Sequence, residues 1–292
     1  MINSLMETVH ELLSENVLSS AQGLFTTINE QLLDAGDLVS VTPMAFQGGG
    51  SWSMVESIAG TAGTAVQTVA GLILGFFIAL ELVQMLVEKN NLADIDMINV
   101  VIKWLVKSFI AIMIVSNAFT IVGAIFTIGH EVITGTALSA TAYVDDTLDL
   151  YAFAYALESL GIGELIGLLF QFQIFRFLFP VIRIVIFVVV VGRFLEIFMY
   201  VAAAPIPLAT MANQEYRGMG NNYLKALFAL AFQGLLMLIV IAIIGNLMIG
   251  SIVNVATAVD GTGFWAILGY LALMCFALMK TPAISKSIFG AH

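Results

Sequence analysis

Apolar residues in this chain come in runs longer than a soluble protein needs. Ser57–Leu80, Ser108–His130, Ala226–Val259 and Gly261–Met279 each lack Asp, Glu, Lys and Arg altogether. A helix rises about 1.5 Å per residue, so roughly 20 apolar residues cross about 30 Å of bilayer hydrocarbon. The pattern predicts an all-α, polytopic membrane protein with about five transmembrane helices, placed at 62–87, 98–128, 165–212, 226–253 and 263–279.

The 165–212 stretch is the least regular. Arg176, Arg183, Arg193 and Glu196 interrupt it, and Pro180, Pro205 and Pro207 break it. Three crossings would leave segments close to the minimum length, each with an arginine in mid-span. One long crossing, kinked near Pro180 and ending in an irregular APIPLAT segment, fits better. Ahead of the spans, Ile2, Leu5, Val9, Leu12, Leu13, Val17 and Leu24 recur near helical spacing, with Glu7, Glu11 and Glu15 on another face. Residues 1–61 therefore read as an extracytoplasmic amphipathic helix followed by a Gly-rich loop, SVTPMAFQGGGSWS. Residues 62–292 read as the transmembrane domain.

Composition agrees: 60% of the 292 residues are hydrophobic and 10% charged, where a soluble domain carries about a quarter charged. Charge placement then orients the chain. The formal net charge is −10, yet all ten basic residues lie from Lys89 onward, beside the apolar runs. Lys and Arg accumulate on the cytoplasmic side. The EKNNLADID loop, with Lys103 and Lys107 after it, is thereby cytoplasmic, as are Arg217, Lys225, Lys280 and Lys286. The 129–160 loop carries Glu131, Asp145, Asp146, Asp149 and Glu158 without a basic residue, and Asp260 sits in a second outer loop. The amino terminus is then outside and the carboxyl terminus inside. The acidic first turns show no cleavable signal, and the single cysteine, Cys275, forms no disulfide framework.

Catalytic chemistry is missing. No G-x-x-x-x-G-K-S/T phosphate loop occurs, and Lys280-Thr281 lacks the glycines that present backbone N–H groups to phosphate. His10, His130 and His292 are isolated, so no metal, cofactor or catalytic residue is expected. Polar groups at membrane depth are the distinctive feature: Glu81, Arg176, Arg183, Arg193 and Glu196. A charge in lipid costs several kcal/mol unless paired or wetted, so these residues predict internal ion pairs, snorkelling, or a wet subunit interface. Arg193 and Glu196, three apart, share a helix face. Gly71/Gly75 and Gly163/Gly167 have the spacing that lets membrane helices approach closely. Pro205 and Pro207, with Gly218 and Gly220, mark a hinge or gate.

The run AAAPIPLATMANQEYRGMGNNYLKALFALAFQG resembles the hallmark segment of TrbL-like conjugal transfer proteins, in the variants found on mobile elements of Gram-positive bacteria. ELVQMLVEKNNLADID followed by IKWLVKS, and WAILGYLALMCFALMKTPAISKSIFGAH, are similar to the same family, so the resemblance covers roughly residues 70–292. It implies a bacterial plasma-membrane scaffold or channel subunit of a type IV secretion system. Such a subunit would self-associate, with five copies suggested by relatives. It would work beside a separate ATPase and other secretion subunits, and would contact lipid and transiently the transferred DNA. The alternative class is a secondary transporter or other small-solute carrier, for which paired broken helices in an internal repeat are the sign; only one broken segment is present.

Overall fold

The computed structural model describes residues 2–60, 63–87, 97–140, 150–257 and 262–291. The EKNNLADID loop, Asp145, Asp146, Asp149, Asp260 and His292 lie outside the described residues. The described chain is helical: α1 (Ile2–Ser40), α2 (Gly50–Ala59), α3 (Ala65–Val87), α4 (Met97–Ser116), α5 (Ala118–Ala140), α6 (Leu150–Glu158), α7 (Ile162–Ala203), α8 (Pro205–Ala209), α9 (Arg217–Thr257) and α10 (Thr262–Phe289), with 3-10 turns at Phe46–Gly49 and Thr210–Ala212.

Six helices among the described residues are long and apolar enough to cross a membrane, rather than five. The additional one arises because the 98–128 run divides at Asn117. Its side-chain Nδ2 donates to the Met113 carbonyl at 2.8 Å, and such local bonds compete with the helical ladder. Helical bonding nevertheless continues through the break, from Asn117 N to Met113 O at 3.1 Å and from Ile121 N to Asn117 O at 2.9 Å.

Other boundaries also shift. α7 runs unbroken through Pro180, and the interruption falls at Ala204. The APIPLAT segment is helical rather than irregular: Pro205 opens α8, at a position where a missing N–H costs nothing. α9 begins at Arg217, so Gly218 and Gly220 lie within its first turn. The QGGGSWS part of the presumed loop splits into a 3-10 turn and the start of α2, because its aromatics find partners. Phe46 is buried and stacks on Phe194 at 4.2 Å, and Trp52 meets Phe119 at 4.9 Å. Gln47, Gly48 and Gly49 take positive φ angles just before α2, a conformation that glycine supplies cheaply.

The chain forms two compact units. The first comprises Met1–Ser40, Ile133–Val191 and Leu235–Thr281. Its core is the α1 stripe Val17, Ala21, Leu24, Ile28, Leu32, Ala35 and Val39, with Phe172, Phe175 and Phe179 of α7 and Ile267 and Leu271 of α10 also buried. From Val17 onward one stripe of α1 is buried. Before it, Leu5, Met6 and Leu12 are more than half exposed. The second unit comprises Val41–Val132, Gly192–Gly234 and Pro282–His292. In it α3 packs on α4, and α8 packs on both. Burial is uneven: 56% of the α9 span is buried, against 17% of α3. Lipid tails are as apolar as leucine, so close packing and polar bonds must hold such helices together.

Candidate functional site

The second unit brings together the most polar group of side chains at membrane-span positions. α3 buries Ala70, Leu74, Phe77 and Glu81, a single helical stripe whose last member is a carboxylate. α4 presents a matching stripe, Val100, Trp104, Lys107, Ala111 and Val115. Trp104 Nε1 donates to the Ile78 carbonyl at 2.9 Å, one turn before Glu81, and this fixes the register of the two helices. Lys107 Nζ then lies 2.6 Å from Glu81 Oε1. The carboxylate is 4% exposed and the lysine 47%, so the anion is the deeply desolvated partner.

The segment after the Pro-Ile-Pro turn closes over the same carboxylate. The Gln214 N–H donates to Glu81 Oε2 at 3.0 Å. One helical turn on, Gln84 Oε1 accepts from Asn213 Nδ2 at 2.7 Å, while Asn213 Oδ1 accepts from the Glu215 N–H at 3.0 Å. Asn213 is wholly buried. The turn is thus clasped to α3 at two adjacent turns. Burying a carboxylate costs several kcal/mol. A cation and a backbone donor on its two oxygens offset that cost.

α9 is tied to the same knot. Thr210 Oγ1 donates to the Pro207 carbonyl at 2.8 Å and accepts from the Gly220 N–H at 3.1 Å. A Cβ on Gly220 would collide with the Met211 side chain and come within 2.9 Å of Pro207 O. Gly220 is therefore required by close approach of two backbones. Neither it nor Gly218 has a left-handed φ. Gly218 has open space around it. A hollow of about 210 Å³ beside the clasp is lined by Glu81, Lys107, Met211, Gln214 and Arg217 among others.

The remaining charged residues lie elsewhere. In the second unit Glu196 Oε1 accepts from Lys286 Nζ at 2.8 Å, a partner 90 residues away where the sequence suggested Arg193. Beside it, Tyr223 donates to the Tyr200 carbonyl at 2.8 Å and stacks on the Tyr200 ring. Arg193 is buried, its guanidinium carbon 5.7 Å from the centre of the Phe194 ring. In the first unit Arg183 Nη2 meets Asp34 Oδ2 at 2.6 Å, both side chains more than half exposed; exposed pairs of this kind contribute little. Arg176 is exposed and lines a groove on that unit.

Gly71, Gly75, Gly163 and Gly167 have nothing within 4 Å of an added Cβ. They mediate no close helix contact among the described residues, contrary to the spacing argument. Gly129 does, since its Cβ would fall 2.9 Å from that of Ala231. No group of three or more His, Cys, Asp and Glu among the described residues is placed to hold a metal ion.

Sequence reasoning singled out Glu81 but missed Gln84, Asn213 and Gln214, and it used Lys107 and Lys286 only as markers of the inner face. Lys107 was within reach, because it continues the Val100–Trp104 stripe at helical spacing. Nothing local in the sequence marks Asn213 as buried.

No curated protein and no solved structure matches the chain. Residues 28–205 match the family described as TrbL/VirB6 plasmid conjugal transfer like protein. The match starts inside α1, upstream of the resemblance read from the sequence, and ends at Pro205, where the most recognisable segment begins. It spans more than half of the 292 residues, and the chain therefore belongs to the TrbL/VirB6 conjugal transfer family.

Proposed function

We propose that this protein is a scaffold and channel subunit of a conjugative type IV secretion system, several copies of which surround or support the path of transferred DNA or protein. Family membership makes it a multi-pass membrane component of conjugal transfer. The observation that carries the finer reading is the clasp over Glu81, which locks the Pro-Ile-Pro turn to α3 and α4. The clasp is a structural joint with no nucleophile–base pair in it, as a part that holds or gates a path requires. Energy would come from a separate ATPase, and DNA contact would be transient.

Assembly from several copies, five by analogy with relatives, is supported by surface that the single chain leaves open. α3 exposes Val69, Leu72 and Phe76 beside the uncovered Gly71 and Gly75, a face suited to close helix approach. Mass photometry of the protein in nanodiscs should show multimers whose fraction rises with concentration. Monomer at every concentration would overturn the assembly and favour a carrier acting as one copy.

In our reading α4 and α5, bonded through Asn117, form one bent crossing. That keeps five crossings, with the amino terminus outside and the carboxyl terminus inside, and puts the Glu81 clasp toward the cytoplasm. In a Cys275→Ala background, Glu7→Cys and Asp146→Cys should react with an impermeant maleimide in whole cells, and Asn91→Cys only after lysis. The opposite labelling pattern inverts the protein.

A further inference from the structure

The first unit holds a groove of about 730 Å³ between α1 and α7, within the range of small-ligand sites. Its walls differ in chemistry. Ser19, Ser20 and Thr27 of α1 face Gln173, Arg176 and Arg183 of α7 across it, and Leu24, Phe172 and Phe179 supply apolar surface. Pro180 also lines it and has no N–H for the Arg176 carbonyl one turn back, so α7 presents a loosened backbone there. Two observations ask for a ligand. Arg176, in a chain that spans lipid, forms no ion pair among the described residues. Gln31 is 4% exposed, and its Nε2 donates to the Phe179 carbonyl at 3.1 Å. Gln31 lines the groove, and its Oε1 is buried without a hydrogen-bond partner.

The geometry points to a site for an anionic phospholipid, its phosphodiester on Arg176 and an acyl chain along the Leu24–Phe179 side. Arg176 and Arg183 are seven residues apart, two helical turns and about 10 Å along one face. Asp34 already occupies one edge of Arg183, so the groove carries a single net positive charge. That balance suits a singly charged phosphodiester better than free phosphate, part of which carries a second charge at neutral pH. The orphan Gln31 Oε1 needs a donor, which a headgroup hydroxyl such as that of phosphatidylglycerol supplies. The apolar wall beside the arginines has no use for a soluble anion but suits an acyl chain. The site is independent of the transfer function proposed above.

The test uses the full chain, purified in detergent, with phosphatidylglycerol, phosphatidylethanolamine, phosphatidylcholine, glycerol 3-phosphate or inorganic phosphate added separately. Native mass spectrometry should show a phosphatidylglycerol adduct that survives activation, with a rise in Tm. The other two lipids should be lost at least tenfold more readily, and the soluble phosphates should neither bind nor compete. Arg176→Gln should abolish the selective adduct, as should Thr27→Trp, which fills the groove without touching either arginine. Lys103→Ala, on an exposed turn of α4, should leave it unchanged. Equal retention of all three lipids, or an adduct that persists in both groove variants, overturns the site. Displacement by inorganic phosphate or glycerol 3-phosphate overturns the lipid as its occupant.

Discussion

Donor cells lacking this protein and carrying an empty vector should transfer no DNA above the background of recipients plated without donors, while nicking at the transfer origin continues unchanged. The two readouts separate because the sequence has no phosphate loop to power transfer and the clasp over Glu81 offers no group that cuts a phosphodiester. In the role proposed above, the protein supplies or supports the path and acts after the DNA has been processed. Complementation with the wild-type chain should restore mating. A Pro205→Ala/Pro207→Ala chain should insert normally but transfer less. Two new backbone N–H groups would let the α7 ladder run on into α8, pulling Thr210, Asn213 and Gln214 away from their partners on α3 and α9. Normal mating in the deletion strain removes the protein from the transfer path altogether. Normal mating with the double-alanine chain would show that the prolines only end a helix.

The membrane architecture was legible because it follows from composition over windows of about 20 residues, where no single position decides the outcome. The break at Asn117 was not, since one side-chain amide bonding back to Met113 divides a run that is apolar on both sides. Proline was read too strongly at Pro205, which heads a helical turn rather than an irregular segment. Pro180 sits inside a continuous α7, because a proline in a long helix loosens one turn without ending the element. The glycine pairs carry a different lesson: their spacing permits close approach but names no partner, and within the chain the close approaches lie instead at Gly129 and Gly220. Among the charges, Glu81 announced itself by interrupting an apolar span. Its donors come from residues 26 and 133 positions away, and Lys286 reaches Glu196 across 90. Distances in sequence of that size carry no periodic signal, so individual ion-pair partners became visible only in the fold.

Breaking the Glu81–Lys107 pair from either side should be the most damaging kind of single change in the second unit. Glu81→Ala leaves the Lys107 ammonium and the Gln214 N–H without their acceptor in a site where the carboxylate was almost wholly buried. Breaking a buried pair from one side costs about 3–5 kcal/mol, a large part of the stability of a typical domain. Glu81→Gln keeps the shape and an acceptor for Gln214 but loses the charge, so it should fall between wild type and alanine. Lys107→Met should cost at least as much as Glu81→Ala, because it leaves the almost wholly buried carboxylate without its cation, whereas the half-exposed Lys107 can turn to water once Glu81 is gone. The informative chain is the double replacement Glu81→Met/Lys107→Met. It removes both charges and leaves only a backbone donor unmatched, so it should be more stable than Lys107→Met alone, in which the carboxylate stays buried without its cation. The reversed pair, Glu81→Lys/Lys107→Glu, keeps the attraction but points a cation at the Gln214 N–H, and it should not recover wild-type stability. Thermal unfolding in one detergent ranks these variants, and mating frequency measured alongside shows whether the clasp serves only stability. A double-methionine chain that is stable but transfers poorly would mean that the pair is used during transfer. Equal and additive losses from the two single changes would mean that Glu81 and Lys107 act independently and that no clasp exists.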